Sequence, residues 1–197
     1  KLAACLGASL PIAGFPSAVK AALKTIDPKS VPKLIYLQAQ SCTGCSVSLL
    51  QAEAPGAVSM ITQYSKLVYH QDLSAASGKQ VLDLMNAYIS GNAGDYFLAV
   101  EGSIPLGMPD ACVIGGKPIA DYLSAAARTM SGAVAIGTCS SYGGIPAAEG
   151  NLTGAVSLND FYKTINKKPF LISIPGCPVH PDWVWKTIVH LVKIGLP

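Results

Sequence analysis

The feature that most constrains the fold is a set of short, unbroken apolar runs. Residues 96–100 (Tyr-Phe-Leu-Ala-Val) and 133–137 (Ala-Val-Ala-Ile-Gly) contain no charged residue. A strand with one wet face alternates apolar and polar positions. A strand covered on both faces reads as continuously apolar, which is the habit of parallel sheets. Residues 34–39 and 170–174 read as further strands, and 67–70 as a shorter one. Between them lie segments of helical character at 46–54, 78–90, 117–130, 160–167 and 181–194. In 78–90 the apolar positions Val81, Leu82, Leu84, Met85 and Tyr88 recur at helical spacing. Pro181 stands in a first helical turn, where a missing N–H costs nothing. Alternating strands and helices predict an α/β fold: a doubly wound parallel sheet with right-handed crossovers and helices on both faces. In such a sheet the loops after the strands share one edge, and ligands bind there.

Composition narrows the function classes. The chain has 197 residues, enough for one domain with a real core, and residues 33–197 read as that domain. Only 13% of residues are charged while 50% are hydrophobic, against a usual charged fraction of about 25%. So few charges leave a face that is poorly solvated, which predicts burial against a partner. No uncharged apolar run reaches the length of about 18 residues that a spanning helix needs. The net charge of +3 is scattered, with no basic stripe interleaved with aromatics, so nucleic acid is not a predicted partner. Residues 1–32 differ in character and read as an N-terminal arm or the remnant of an export signal. Leu2-Ala3-Ala4-Cys5 resembles a lipoprotein processing box.

Six cysteines are present: Cys5, Cys42, Cys45, Cys112, Cys139 and Cys177. A Cys-x-x-Cys after a strand is a redox disulfide, half of a metal site, or two incidental thiols. Cys42 and Cys45 follow the first strand. Cys139 follows the strand ending at Gly137, and Cys177 follows the one ending at Ile174. All four therefore lie on the same sheet edge, and four thiolates converging from three loops can hold a 4Fe–4S cluster or a zinc ion. Glycines beside them (Gly137, Gly143, Gly144, Gly176) permit close backbone approach, and Pro178 after the last ligand is common in cluster turns. Cys5 and Cys112 have no cysteine neighbour in sequence and read as structural.

Four motifs carry a resemblance. They are Ser41-Cys42-Thr43-Gly44-Cys45-Ser46, Val100-Glu101-Gly102-Ser103-Ile104-Pro105, Gly137-Thr138-Cys139-Ser140-Ser141-Tyr142-Gly143-Gly144 with its continuation to Asn151, and Pro175-Gly176-Cys177-Pro178-Val179-His180-Pro181. Together they resemble the small subunit of nickel–iron hydrogenases, including the nickel–iron–selenium branch, over residues 33–191. The resemblance implies a flavodoxin-like domain in which Cys42, Cys45, Cys139 and Cys177 ligate one proximal 4Fe–4S cluster. It implies a nickel–iron centre in a separate hydrogenase large subunit, and electron relay to an external carrier such as a cytochrome or ferredoxin. It also implies a periplasmic or membrane-associated location, with possible membrane attachment; a cytoplasmic one is the alternative.

Three departures qualify the likeness. Such subunits usually continue into a region holding two more clusters, so this chain reads as a natural short form or a fragment. The places of two extra cysteines found in oxygen-tolerant members fall at Gly44 and Gly144, which implies the four-cysteine cage. The residue before the first ligand is Ser41 where the standard branch often has Glu. Two other readings stay open. One is a zinc-stabilised, non-enzymatic interaction or hydrogen-sensing module. The other is a quinone-linked dehydrogenase iron–sulfur subunit of related fold, which adjacent cysteines in place of the spaced Cys42 and Cys45 would favour.

Glu101 and His180 are candidates for the partner interface or a proton path, His180 also for starting the last helix. Glu149 and Asn151 are candidate partner contacts. Trp183 and Trp185 read as core or interface packing, and His70 and His190 as ordinary residues.

Overall fold

The computed structural model describes residues 31–53, 55–91 and 96–193. The expectations for residues 1–30, Cys5 included, lie outside the described residues. Five strands make the central sheet: β1 (Lys33–Gln38), β2 (Lys66–Tyr69), β3 (Tyr96–Glu101), β4 (Gly132–Ile136) and β5 (Leu171–Ile174). They pair in parallel in the order β2-β1-β3-β4-β5. This is the strand order of a flavodoxin-like doubly wound sheet.

Six helices of six or more residues flank the sheet among the described residues: α1 (Gly44–Leu50), α2 (Gly78–Gly91), α3 (Ile119–Ala126), α4 (Gly137–Tyr142), α5 (Leu158–Thr164) and α6 (Pro181–Lys193). Side chains of a strand alternate between faces, and the core divides accordingly. Ile35, Leu37, Leu98, Val100, Ala133 and Ala135 pack on one face against Val81, Met85 and Ile89 of α2, Leu123 of α3 and Phe161 of α5. Leu34, Tyr36, Ala99, Val134 and Ile136 pack on the other against Leu49 of α1 and Val184, Trp185 and Ile188 of α6. Every residue of β4 is buried, as its unbroken apolar run requires.

The helical boundaries differ from the expected ones where local chemistry intervenes. The segment expected over 117–130 is helical only over Ile119–Ala126. Lys117 precedes Pro118, which disfavours helical backbone before it, and Lys117–Pro118 pairs instead with Val113–Ile114 in a small antiparallel ribbon. Helix α5 begins two residues before the expected start because Ser157 caps it. Ser157 Oγ accepts from the Asp160 backbone N–H at 3.1 Å and donates to Asp160 Oδ2 at 2.8 Å. Residue 137, expected to end a strand, opens α4.

Register places the functional edge. Gln38 pairs with Glu101, Glu101 with Ile136, and Ile136 with Ile174. The last residues of four strands therefore form one row. Within a few residues of that row stand Cys42 and Cys45, Gly102, Cys139 and Cys177.

Candidate metal centre

The three cysteine loops converge at that edge and are tied together there. Cys42 precedes α1 and Cys45 lies in its first turn, behind Thr43, whose φ of 65° is left-handed. Cys139 lies in α4, and Cys177 sits in the loop before α6, ahead of a cis peptide to Pro178. Thr138 N–H donates to Gly176 O at 2.9 Å, and Gly176 N–H donates to Thr138 Oγ1 at 3.1 Å. Ser48 Oγ donates to Val179 O at 2.7 Å, joining α1 to the Cys177 loop. These bonds fix the loops relative to one another.

Cys42, Cys45, Cys139 and Cys177 line one pocket of about 90 Å³, closed by Ile136 and Pro178, with Glu101 also on its wall. All four are free thiols; Cys45 is buried, Cys139 half-buried, and Cys42 and Cys177 exposed. Two glycines make the cage possible. A Cβ on Gly137, whose φ is +81°, would lie 2.5 Å from Cys45 Sγ. One on Gly144, φ +59°, would lie 2.6 Å from Cys139 Sγ. A side chain at either place would occupy the space of the sulfur itself. Among the described residues no three Cys, His, Asp or Glu side chains are grouped to hold a single ion.

Burial pushes the Cys45 thiol up to about 11. The Val179 backbone N–H opposes that rise, while Glu101, Cys42 and Cys139 add to it. Burial also raises Cys139, with the Ile145 backbone N–H opposing and Cys177, Cys42 and Glu101 adding. Cys45 and Cys139 thus feel the neighbouring thiols across the pocket. Burial disfavours the thiolate at Cys45 and Cys139, and metal ligation would take the thiolate form.

Glu101, the last residue of β3, is 2% exposed. Its carboxylate accepts four hydrogen bonds: from Tyr36 OH at 2.8 Å, Cys45 N–H at 3.1 Å, Ser46 N–H at 3.0 Å and Ser46 Oγ at 2.6 Å. All four are donors, the complement of an acceptor-only carboxylate. The residue therefore holds the first turn of α1, and Cys45 with it, against the sheet.

The other candidates stand apart from the pocket. His180 is exposed; its Nδ1 accepts the Asp182 N–H at 3.2 Å, and its ring lies 5.7 Å from that of Trp183. Cys112 is half-buried, with Sγ 3.9 Å from Gln38 O. Asn151 folds its own loop, its side chain bonding both the N–H and the carbonyl of Ala155. Trp185 is buried while Trp183 is exposed. His70, read from sequence as ordinary, is 3% exposed and bonded to Ser46. Its position at the C-terminal end of β2, on the same edge as the cysteines, was the available signal.

Residues 42–191 match the family model described as NADH ubiquinone oxidoreductase, 20 Kd subunit. The Hydrogenase-2 small chain of Escherichia coli (strain K12) is 38% identical over 200 residues, covering 100% of this chain and 52% of that protein. The periplasmic NiFeSe hydrogenase small subunit of Desulfomicrobium baculatum is 38% identical over 167 residues, covering 79% of this chain and 53% of the relative. Among solved structures, a reduced, active form of the Ni-Fe-Se hydrogenase from Desulfomicrobium baculatum superposes with a TM-score of 0.78 at 37% identity, over 82% of this chain and 63% of that one. The recombinant NiFeSe hydrogenase from Desulfovibrio vulgaris Hildenborough gives 0.79 at 34% identity, over 87% and 63%. The chain spans about half the length of the curated relatives it matches. With its fold, its four motifs and most of its length accounted for by these matches, the chain belongs to the NADH ubiquinone oxidoreductase 20 kDa subunit family, and the relatives it resembles are hydrogenase small subunits.

Proposed function

We propose that this chain is the electron-transfer small subunit of a nickel–iron hydrogenase, and that Cys42, Cys45, Cys139 and Cys177 hold one 4Fe–4S cluster. The observation that carries the reading is the ring of four thiols around one pocket, set there by the aligned ends of β1, β4 and β5. A zinc ion needs its sulfurs about 2.3 Å from a single centre, whereas thiols spaced around a cavity suit a group of several atoms. When bound, such a cluster supplies one-electron redox chemistry at the pocket.

The chain's own residues do the rest. Ile136, Pro178 and the glycine backbone give the pocket a mostly apolar wall. The backbone N–H groups of Val179 and Ile145 bond to Cys45 and Cys139 and favour their thiolates. Glu101 fixes Cys45 through the first turn of α1. In this reading the nickel–iron centre belongs to a large subunit, and an external carrier exchanges electrons at the outer face. The name of the matching family keeps quinone-linked transfer as the rival; the spaced Cys42 and Cys45, and the hydrogenase relatives, favour the first reading. Among the described residues no helix is long and apolar enough to cross a membrane, and a periplasmic or membrane-associated site rests on the relatives.

Iron and acid-labile sulfide analysis of the purified complex tests the proposal. Iron and sulfide in equal amounts, with visible charge-transfer absorption lost or altered in Cys177→Ser, is the expected result. Zinc without such absorption overturns it, as does unchanged electron transfer in Cys177→Ser.

A further inference from the structure

A continuous hydrogen-bonded chain leaves the cysteine pocket in the direction of solvent. It starts at Glu101, on the pocket wall. Ser46 Oγ donates to Glu101 Oε2 at 2.6 Å. Behind Ser46 lies His70, with Nε2 3.2 Å from Ser46 Oγ. The tautomer follows from the other ring nitrogen. Nδ1 lies 3.1 Å from the Asp72 backbone N, whose hydrogen it accepts. Nε2 therefore carries the ring proton and donates it to Ser46. Beyond the ring stands the Asp72 carboxylate, 3.9 Å from Nδ1 and half-exposed.

Every donor in this series points inward, from His70 through Ser46 to Glu101. The arrangement costs more than an apolar one would, because burying a polar histidine and a carboxylate requires that each find partners. Its packing could have been met by an aliphatic side chain on β2. We propose that His70 is a redox-linked proton site: one proton enters at its Nδ1 from solvent, beside Asp72, for each electron that adds negative charge to the cysteine pocket, and the Ser46–Glu101 chain couples the two.

The step is balanced by one N–H bond formed at Nδ1 and one electron gained, the electron coming from the partner or from an added chemical reductant. On protonation Nδ1 gives up the Asp72 N–H and becomes a donor, with the Asp72 carboxylate as its acceptor. Nε2 keeps its bond to Ser46. The titratable and charged groups facing His70 are Asp72 on its own turn, Glu101 from β3 and Tyr36 from β1, whose ring stacks on it at 4.5 Å; α1 contributes the Ser46 hydroxyl. Burial holds the ring neutral at rest, below the usual histidine value, while the charges of Asp72 and Glu101 pull the other way. Further negative charge in the pocket strengthens that opposing pull.

This inference rests on the iron–sulfur reading above, so the test separates the two. The holo-complex is first assayed for iron and sulfide; the redox signal of the pocket is the one that Cys177→Ser removes. Its midpoint potential is then measured from about pH 5 to about pH 8.5, the range in which histidine charge changes. The expected wild-type potential falls by about 59 mV for each tenfold drop in proton concentration, the value for one proton per electron. His70→Gln, which cannot titrate, flattens that dependence. Asp72→Asn, a change at a half-exposed side chain that keeps the test open should the first variant fold poorly, keeps the slope and moves it to lower pH. A pH-independent potential in a wild-type complex that does carry iron and sulfide overturns this inference alone, as does an unchanged slope in His70→Gln. Absence of iron and sulfide overturns the iron–sulfur reading and this inference together.

Discussion

At the residue scale the cage is a matter of what is left out. Gly137→Ala places a methyl on a left-handed backbone and 2.5 Å from Cys45 Sγ. The backbone alone costs about 1–2 kcal/mol, and the sulfur must shift to admit the methyl. Lower stability in urea unfolding, together with reduced iron content, is the expected outcome. Gly44→Ala is the milder comparison, because its Cβ would stand 3.1 Å from Cys42 Sγ on backbone that does not need positive φ. The convergence of the four cysteines on one sheet edge was legible in the sequence, since each follows an apolar run. The role of Glu101 was half legible: a carboxylate ending a buried strand demands partners, but Tyr36, Cys45 and Ser46 are 65, 56 and 55 residues away in sequence. Only its place just past β2 marked His70 in the sequence; its environment is assembled from β1, β3 and α1.

His70 also gives the apoprotein a pH dependence whose sign is fixed. Its folded value lies below the ordinary histidine value because of burial. The unfolded chain, with an ordinary value near about 6.5, therefore binds the proton first as pH falls. Stability is fully present above that pH. It declines as pH drops through it towards the lower folded value, by at most about 1.4 kcal/mol per pH unit for one proton. Urea midpoints between about pH 7.5 and about pH 5 follow this decline in the wild type, and His70→Gln removes the share of it due to this ring.

At the element scale, α1 is seven residues long, too short to persist by its own propensity. It is held from both ends. Glu101 caps the first turn, and Trp185 Nε1–H of α6 donates to Leu49 O at 3.3 Å near its last. Leu49 is 5% exposed against Val184 and Trp185. Leu49→Ala leaves a cavity there and costs about 2–5 kcal/mol, and because α1 carries Cys45, iron content falls with it. Ser157→Ala is the control at the same scale. Loss of the α5 cap costs about 1 kcal/mol and leaves iron content unchanged, since α5 bears no cysteine; chemical unfolding and iron analysis together separate the two. The apolar runs foretold the strands to within a residue or two at each end. Helix α3 was overdrawn because alanines at 125–127 extend a helical pattern that Pro118 and the turn after Ala126 cut short.

At the scale of the whole molecule, five of the eleven exposed large apolar side chains among the described residues sit on or beside the cysteine-bearing segments. Val47 and Leu50 lie on α1, Tyr142 on α4, Ile145 in the turn after it and Trp183 on α6, and Ile145 is 77% exposed. The 13% charge fraction read from the sequence foretold such a surface but not its place. Its position follows from topology, because the loops after parallel strands share one edge, so the residues that frame the pocket also frame the surface around it. On the proposed function, a large subunit exchanging electrons with this pocket would have to approach that edge closely, and burying these side chains would supply association energy that a polar rim would not. Ile145→Glu tests the placement. In the isolated chain it removes apolar surface without touching the core, so stability stays within about 0.5 kcal/mol of wild type and self-association in light scattering drops. In the presence of the large subunit it buries an unpaired charge, and affinity falls by about tenfold or more, equivalent to about 1.4 kcal/mol. Unchanged affinity, measured by titration of the purified subunits, would move the docking face elsewhere on the molecule.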